Sequence, residues 1–308
     1  MTHTVSPDEF AGHGGTVLRG EFYRPDADGP WPAVAMAHGF SATRTMGLPS
    51  FAAAIADAGI AVLLYDHRNF GTSDGVPRQE INPWAQARDY QYALDHLAHH
   101  PDVDAERLGL WGSSFSGGEV MVVGAIDRRA KAIVANVPWA GSGAEYAADS
   151  SAEFAALAAA FSDRSGAGLA DIPSDSYPFL VVQEPGVEGR AFLDQPEASE
   201  WFLSFGDDPE STWRNEVTIR NAFGTEPVFD PGLAIRHLDG TPILLIVATH
   251  DATAPTDMAV AAYDAAGEPK ELLMIEGHHF APYSGPERAE AAAASARFLM
   301  HHLLGDSM

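Results

Sequence analysis

Cysteine is missing from all 308 residues. That excludes a disulfide framework, a cysteine nucleophile and any thiolate metal site. Lysine is nearly missing too, with only Lys131 and Lys270 present. Basic residues number 18 against 43 acids, for a formal charge of −25. A field of that sign repels phosphate backbones and argues against nucleic acid as a partner. No run approaches the ~18 apolar residues of a membrane span. The opening Met-Thr-His-Thr-Val-Ser-Pro-Asp lacks the basic and apolar regions of a secretory signal. The expectation is a cytoplasmic protein acting on a small molecule, with no membrane or nucleic-acid partner and with homodimer formation left open. A composition of 46% hydrophobic and 20% charged residues is that of a globular chain.

Short apolar runs alternate with helical patterns. Thr16–Arg24 alternates like an edge strand. Ala33–Ala37, Ile60–Asp66, Arg107–Trp111, Ala132–Val137, Ile243–Ala248 and Glu271–Ile275 have the form of buried parallel strands. Gly47–Ala58, Pro83–Ala98, Phe115–Ala125, Thr256–Ala266 and Pro286–Leu304 read as helices, with Asn82-Pro83 as an N-cap and first helical residue. Strand–helix alternation implies right-handed crossovers and a mostly parallel sheet. The stretch from Pro138 to about Asp239 breaks this rhythm. It holds 13 of the 30 aromatic residues, and from Trp139 to Asp230 it carries 17 acids against 4 arginines. It is too long for a loop in a compact domain. The expectation is a core of residues 1–138 and 240–308, with residues 139–239 inserted as a largely helical cap over the strand ends.

The segment Gly109-Leu-Trp-Gly-Ser-Ser-Phe-Ser-Gly-Gly-Glu119 carries the chemistry. A strand ends at Trp111 and a helix begins near Phe115, so Gly112 and Ser114 fit the first and third places of G-x-S-x-G. A serine on such a tight turn exposes its Oγ beside free backbone N–H groups. Ser116 stands where a second glycine is usual, and it remains the alternative nucleophile to the favoured Ser114. After Ile243–Ala248 comes Thr249-His-Asp251, which offers Asp251 as the acid, with Asp257 second. After the last strand, Glu276-Gly-His-His-Phe280 offers His279 ahead of His278 as the base. The oxyanion hole is expected from the backbone N–H of Phe115 and of Phe40, in His38-Gly39-Phe40. His38 itself reads as structural, as does an expected Asp66–Arg68 pair. His96 and His100 have i,i+4 spacing without an acidic partner motif, so no metal is expected, and no cofactor.

From Thr16 onward the chain resembles the α/β-hydrolases, with an eight-stranded sheet implied. Tyr65-Asp-His-Arg-Asn-Phe-Gly-Thr-Ser-Asp-Gly75, Leu110-Trp-Gly-Ser-Ser-Phe-Ser-Gly-Gly118, Asp127-Arg-Arg-Ala-Lys-Ala132 and Val137-Pro138 carry a closer likeness. They resemble the polyketide-transferase and hydrolase group of fungal biosynthetic clusters, and the dienelactone-hydrolase-like and X-Pro-peptidase-like enzymes. Serine at the elbow excludes the aspartate-nucleophile haloalkane dehalogenases and epoxide hydrolases. The resemblance implies ester or thioester cleavage through an acyl-enzyme on Ser114, with acyl transfer, thiohydrolysis, or amide or C–C cleavage as alternatives. Trp139, next to the strand end beside the elbow, is expected in the substrate pocket. The aromatic, acidic insertion suits an uncharged or cationic, largely apolar substrate.

Overall fold

The structure is a computed structural model and describes residues 3–147, 149–162, 178–206, 211–220 and 225–305. Its first half runs β1 (His3–Ala11), β2 (Val17–Pro25), β3 (Trp31–Ala37), α1 (Pro49–Asp57), β4 (Ala61–Tyr65), β5 (Glu80–Ile81), α2 (Pro83–His99), β6 (Val103–Ser113), α3 (Phe115–Ile126) and β7 (Ala130–Asn136). Then come α4 (Ser151–Ala159), β8 (Leu180–Val182), β9 (Ala191–Leu193), α5 (Pro196–Gly206), β10 (Thr218–Ile219) and α6 (Pro231–Ala234). The chain closes with β11 (Ile243–Ala248), α7 (Thr256–Ala265), β12 (Lys270–Ile275) and α8 (Gly285–Leu304).

Eight strands form one sheet in the order β1-β2-β4-β3-β6-β7-β11-β12. The pairs β1–β2 and β2–β4 are antiparallel, and every other neighbouring pair is parallel. The α/β-hydrolase expectation of a mostly parallel eight-stranded sheet is met. The central strands are buried on both faces, so they read as unbroken apolar runs. Within β3, Ala33, Ala35 and Ala37 face one core with α2 and α3, while Val34 and Met36 face the other with α1 and α8. This period-two alternation divides the core into two layers. The Asn82 side chain caps α2 by accepting from the Ala85 N–H at 3.3 Å. Among the described residues, no helix is long and apolar enough to cross a membrane.

Two expectations need correction. Thr16–Arg24 lies one strand in from the edge, because β1 pairs with β2 along its whole length from His3↔Pro25 to Ala11↔Val17. The sequence hides β1 because it buries only Phe10 and carries Pro7, Asp8 and Glu9, the polar marks of a protected edge. Asp66 and Arg68 do not pair with each other. Asp66 accepts from the Arg44 amide and guanidinium and from the Thr72 amide, closing the turn after β4. Arg68 instead grips Asp89 on α2 with two bonds of 2.6 and 2.7 Å.

The stretch between β7 and β11 contains helices, as expected, and also short strands that carry no sequence signal at two or three residues. β8 pairs with β9, and β10 pairs with β5 of the preceding region. The α5 helix lies against the segment after β12: Trp201 stacks on Phe280 at 5.1 Å and meets Tyr283 at 5.2 Å. Tyr177 and Phe223, two of the aromatics counted in this stretch, lie outside the described residues.

Candidate active site

Three strand ends of the sheet converge on Ser114. β6 delivers it at a turn with φ 54° and ψ −113°, and α3 starts at the next residue. A left-handed φ on a non-glycine residue is strained and persists only where its surroundings impose it. Here the Ser114 N–H donates to the Asn136 carbonyl at the end of β7, 2.8 Å away. The loop after β11 brings Asp251, and the loop after β12 brings His279.

The three side chains form one chain of hydrogen bonds. His279 Nε2 lies 3.0 Å from Ser114 Oγ, and His279 Nδ1 lies 2.6 Å from Asp251 Oδ2. The other Asp251 oxygen accepts from the Thr253 and Ala254 amides at 2.9 and 2.7 Å. His279 and Asp251 are both buried. An aspartate held this way fixes the tautomer that leaves Nε2 free to accept a proton from Oγ.

The competing candidates fall elsewhere. His278 is exposed and accepts from the Phe280 amide. Asp257 is exposed in the first turn of α7. Ser116 is buried, with its Oγ 2.6 Å from the His38 carbonyl and 2.7 Å from His67 Nε2. His96 pairs with Asp8 at 3.0 Å, and His100 stacks on Phe22 at 4.7 Å. Among the described residues no cluster of three metal-ligating side chains occurs.

The loop after β3 lies directly on the elbow. A Cβ on Gly39 would sit 2.7 Å from both Ser113 O and Ser114 Cβ. Only glycine allows that approach, and it carries Phe40 past Ser114. Phe40 and Phe115 line the same cavity beside Ser114, their rings 6.1 Å apart. Phe40 and Phe115, the two residues expected to supply oxyanion-hole amides, thus come from different loops to the same side of Ser114.

Trp139 is drawn over the elbow as well. Val137 has φ 41°, an outlier for a β-branched residue, and it turns the chain back after β7. The Trp139 indole stacks on Phe115 at 4.9 Å with an interplanar angle of 9°. Two cavities open beside Ser114. One, of about 170 Å³, is walled by Phe115, Trp139, Phe192 and Ile219. The other, of about 30 Å³, is walled by Met46, Leu48, Trp201 and Phe280. Phe40, Leu193 and Thr253 contribute to both.

Sequence reasoning missed Phe192, Leu193, Ile219 and Thr253, which come from short strands and a loop without periodic pattern. It also missed a buried polar floor beneath the elbow. His38, His67, Ser116 and Glu119 are all buried there. Burial pushes the Glu119 carboxyl well above its ordinary range and the His67 imidazole well below its own. One signal was available: Glu119 is the sole charged residue of the Phe115–Ile126 helix, which is apolar from Val120 onward.

A family model described as X-Pro dipeptidyl-peptidase (S15 family) matches residues 14–281. Acyltransferase drtE from Aspergillus calidoustus is 32% identical over 80% of this chain and 78% of its own. Thiohydrolase aneE from Aspergillus aculeatus is 30% identical over 98% of this chain and 95% of its own. Among solved structures, the α/β-hydrolase GrgF from Penicillium sp. sh18 superposes with a TM-score of 0.74 at 24% identity, covering 98% of this chain and 99% of that one. The chain belongs to the S15 family of the α/β-hydrolase superfamily, and it is an enzyme of the α/β-hydrolase, esterase-like type.

Proposed function

We propose that this protein is a serine-dependent acyl-transfer enzyme that cleaves an ester or thioester of a small apolar acyl group. The observation that carries this reading is the unbroken chain from Asp251 through His279 to Ser114, at 2.6 and 3.0 Å. In it His279 takes the Ser114 proton as Oγ attacks the carbonyl carbon. The Phe40 and Phe115 amides hold the oxyanion, and His279 then protonates the leaving group. Water, or an acceptor alcohol, attacks the acyl-enzyme with His279 again as base. The relatives named acyltransferase and thiohydrolase support the thioester and transfer readings equally.

Residues 139–239 act in this reading as a cap on a core of residues 1–138 and 240–308. The larger cavity takes the acyl group, with Trp139 as part of its wall. At about 170 Å³ it slightly exceeds the ~150 Å³ apolar cavity known to hold benzene, so it has room for an acyl group of roughly six carbons. The test is a panel of activated esters and thioesters of increasing acyl length, run with wild type and Ser114→Ala. The expected result is turnover peaking at intermediate length and abolished by the substitution. Turnover surviving in Ser114→Ala would overturn the reading.

A further inference from the structure

The polar floor beneath the elbow admits a proton count. Ser116 Oγ has three partners within 2.9 Å: the His38 carbonyl at 2.6 Å, His67 Nε2 at 2.7 Å and Glu119 Oε2 at 2.9 Å. The Tyr90 hydroxyl also faces it, but its proton goes to the Trp111 carbonyl at 3.0 Å. The His38 carbonyl can only accept, so the single hydroxyl proton of Ser116 goes to His38. The other two partners must then donate to the two Ser116 lone pairs. His67 does so as a neutral imidazole carrying its proton on Nε2. Its Nδ1 is buried without a hydrogen-bond partner, which suits a bare lone pair and not an N–H. Glu119 can donate only as a carboxylic acid. Its Oε1 is also buried without a partner, tolerable for a neutral carbonyl oxygen and costly for a carboxylate.

We propose that Glu119 is held as a neutral carboxylic acid, and that its O–H, relayed through Ser116, pins the His38 carbonyl and so positions the oxyanion-hole loop. The relay runs two residues from the His38 carbonyl to Phe40. The same loop is fixed from its other side, where the His67 amide donates to His38 Nε2 at 3.0 Å. Glu119 is a positioning residue in this arrangement and does not touch substrate. The proposal rests on the reading of Ser114, Phe40 and Phe115 given above.

The groups around Glu119 favour the neutral form. Ser116 lies on its own helix. His67, on the loop after β4, has Nε2 3.4 Å from Glu119 Oε2, and burial keeps that imidazole neutral, so it supplies no counter-charge. Tyr65 comes from the end of β4, and Tyr90 and Asp89 come from α2. Asp89 is paired with Arg68 at 2.6 Å, which makes Arg68 no counter-ion for Glu119. Burial dominates the upward shift of Glu119, and Asp89 adds to it. A carboxylate here would also place negative charge beneath the site where the oxyanion develops.

The experiment combines infrared difference spectroscopy with kinetics. Wild-type protein at neutral pH and above should show the C=O stretch of a protonated carboxyl group, lost in Glu119→Gln. Glu119→Ala and Ser116→Ala should each lower kcat by about 10- to 100-fold with a smaller change in KM, since the loop shifts while the triad stays. Glu119→Gln keeps a donor of similar shape and should return kcat to within about threefold of wild type. Absence of the carboxyl band overturns the proposal, as does Glu119→Gln being as impaired as Glu119→Ala. If the Glu119 variants fail to fold, the wild-type band still decides protonation and Ser116→Ala still decides positioning. Unchanged kcat in Ser116→Ala overturns the positioning role. Ser114→Ala separates the two levels: activity there with the band present overturns the acyl-transfer reading, whereas inactivity with the band missing overturns only the role of Glu119.

Discussion

The backbone N–H of Trp139 donates to the carbonyl oxygen of Ser114 itself, at 2.9 Å. The wall of the larger cavity is thereby tied to Ser114. Gly117 and Gly118 make the approach possible, since a Cβ on either would strike Pro138 or Trp139 at 2.5 to 2.9 Å. The strained turn at Val137 directs the chain into that contact.

Removing the indole should therefore alter selectivity before it alters chemistry. Trp139→Ala should lower kcat/KM for a six-carbon acyl ester relative to an acetyl ester by about tenfold, the scale expected for part of an aromatic contact surface. Measuring kcat/KM across an acyl-length series checks this. An unchanged profile would detach Trp139 from the acyl pocket.

Gly39→Ala should damage activity through a single methyl group. Its Cβ would meet Ser113 O and Ser114 Cβ at 2.7 Å, so the loop carrying Phe40 must withdraw. The expected outcome is a kcat loss of about 10²-fold, the size of losing one oxyanion donor, with about 1–3 kcal/mol of destabilisation from overpacking. Steady-state kinetics and urea unfolding of the same sample separate the two effects.

The adjacent histidines should behave very differently. His279→Ala removes the link between Asp251 and Ser114 and should lower kcat by about 10⁴-fold or more. His278 is exposed, and His278→Ala should stay within about threefold of wild type. Similar losses from both would contradict the assignment of the base.

The raised Glu119 carboxyl also has a signature in stability. Burial holds its folded pKa well above that of an ordinary glutamate. Between those limits the folded state holds a proton that the unfolded state has released. Its contribution is thus complete below the unfolded pKa and declines as pH rises toward the folded one. His67 has the opposite sign, because its pKa is lowered, so the comparison must isolate Glu119. Stability of Glu119→Gln minus wild type should increase as pH rises above the ordinary glutamate range. Denaturant midpoints measured across pH provide the test, and a flat or falling difference would contradict a neutral Glu119.

The sheet was legible because parallel strands buried on both faces must be apolar throughout, as Ile243–Ala248 is. The elbow was legible because its turn constrains residue type on both sides of Ser114. The β1 strand was not, since an edge strand keeps its outer residues polar and only Phe10 is buried. Asp251 and His279 could be located from the strand ends that precede them, but their contact spans 28 residues of chain and is settled only by the fold. The cavity wall was the least legible. Phe192, Leu193 and Ile219 sit in strands of two or three residues, too short for any periodicity. Ser116 resembled a displaced nucleophile because small polar residues at the elbow carry the same signal whether they react or hold a loop in place.

The most direct measurement is the mass of the intact protein after reaction with a fluorophosphonate, followed by peptide mapping of the adduct and repetition with Ser114→Ala. The expected result is a single adduct on Ser114, no adduct in Ser114→Ala, and a loss of ester turnover on the order of 10⁴-fold in that variant. Labelling of Ser116, or turnover and labelling that persist in Ser114→Ala, would contradict it.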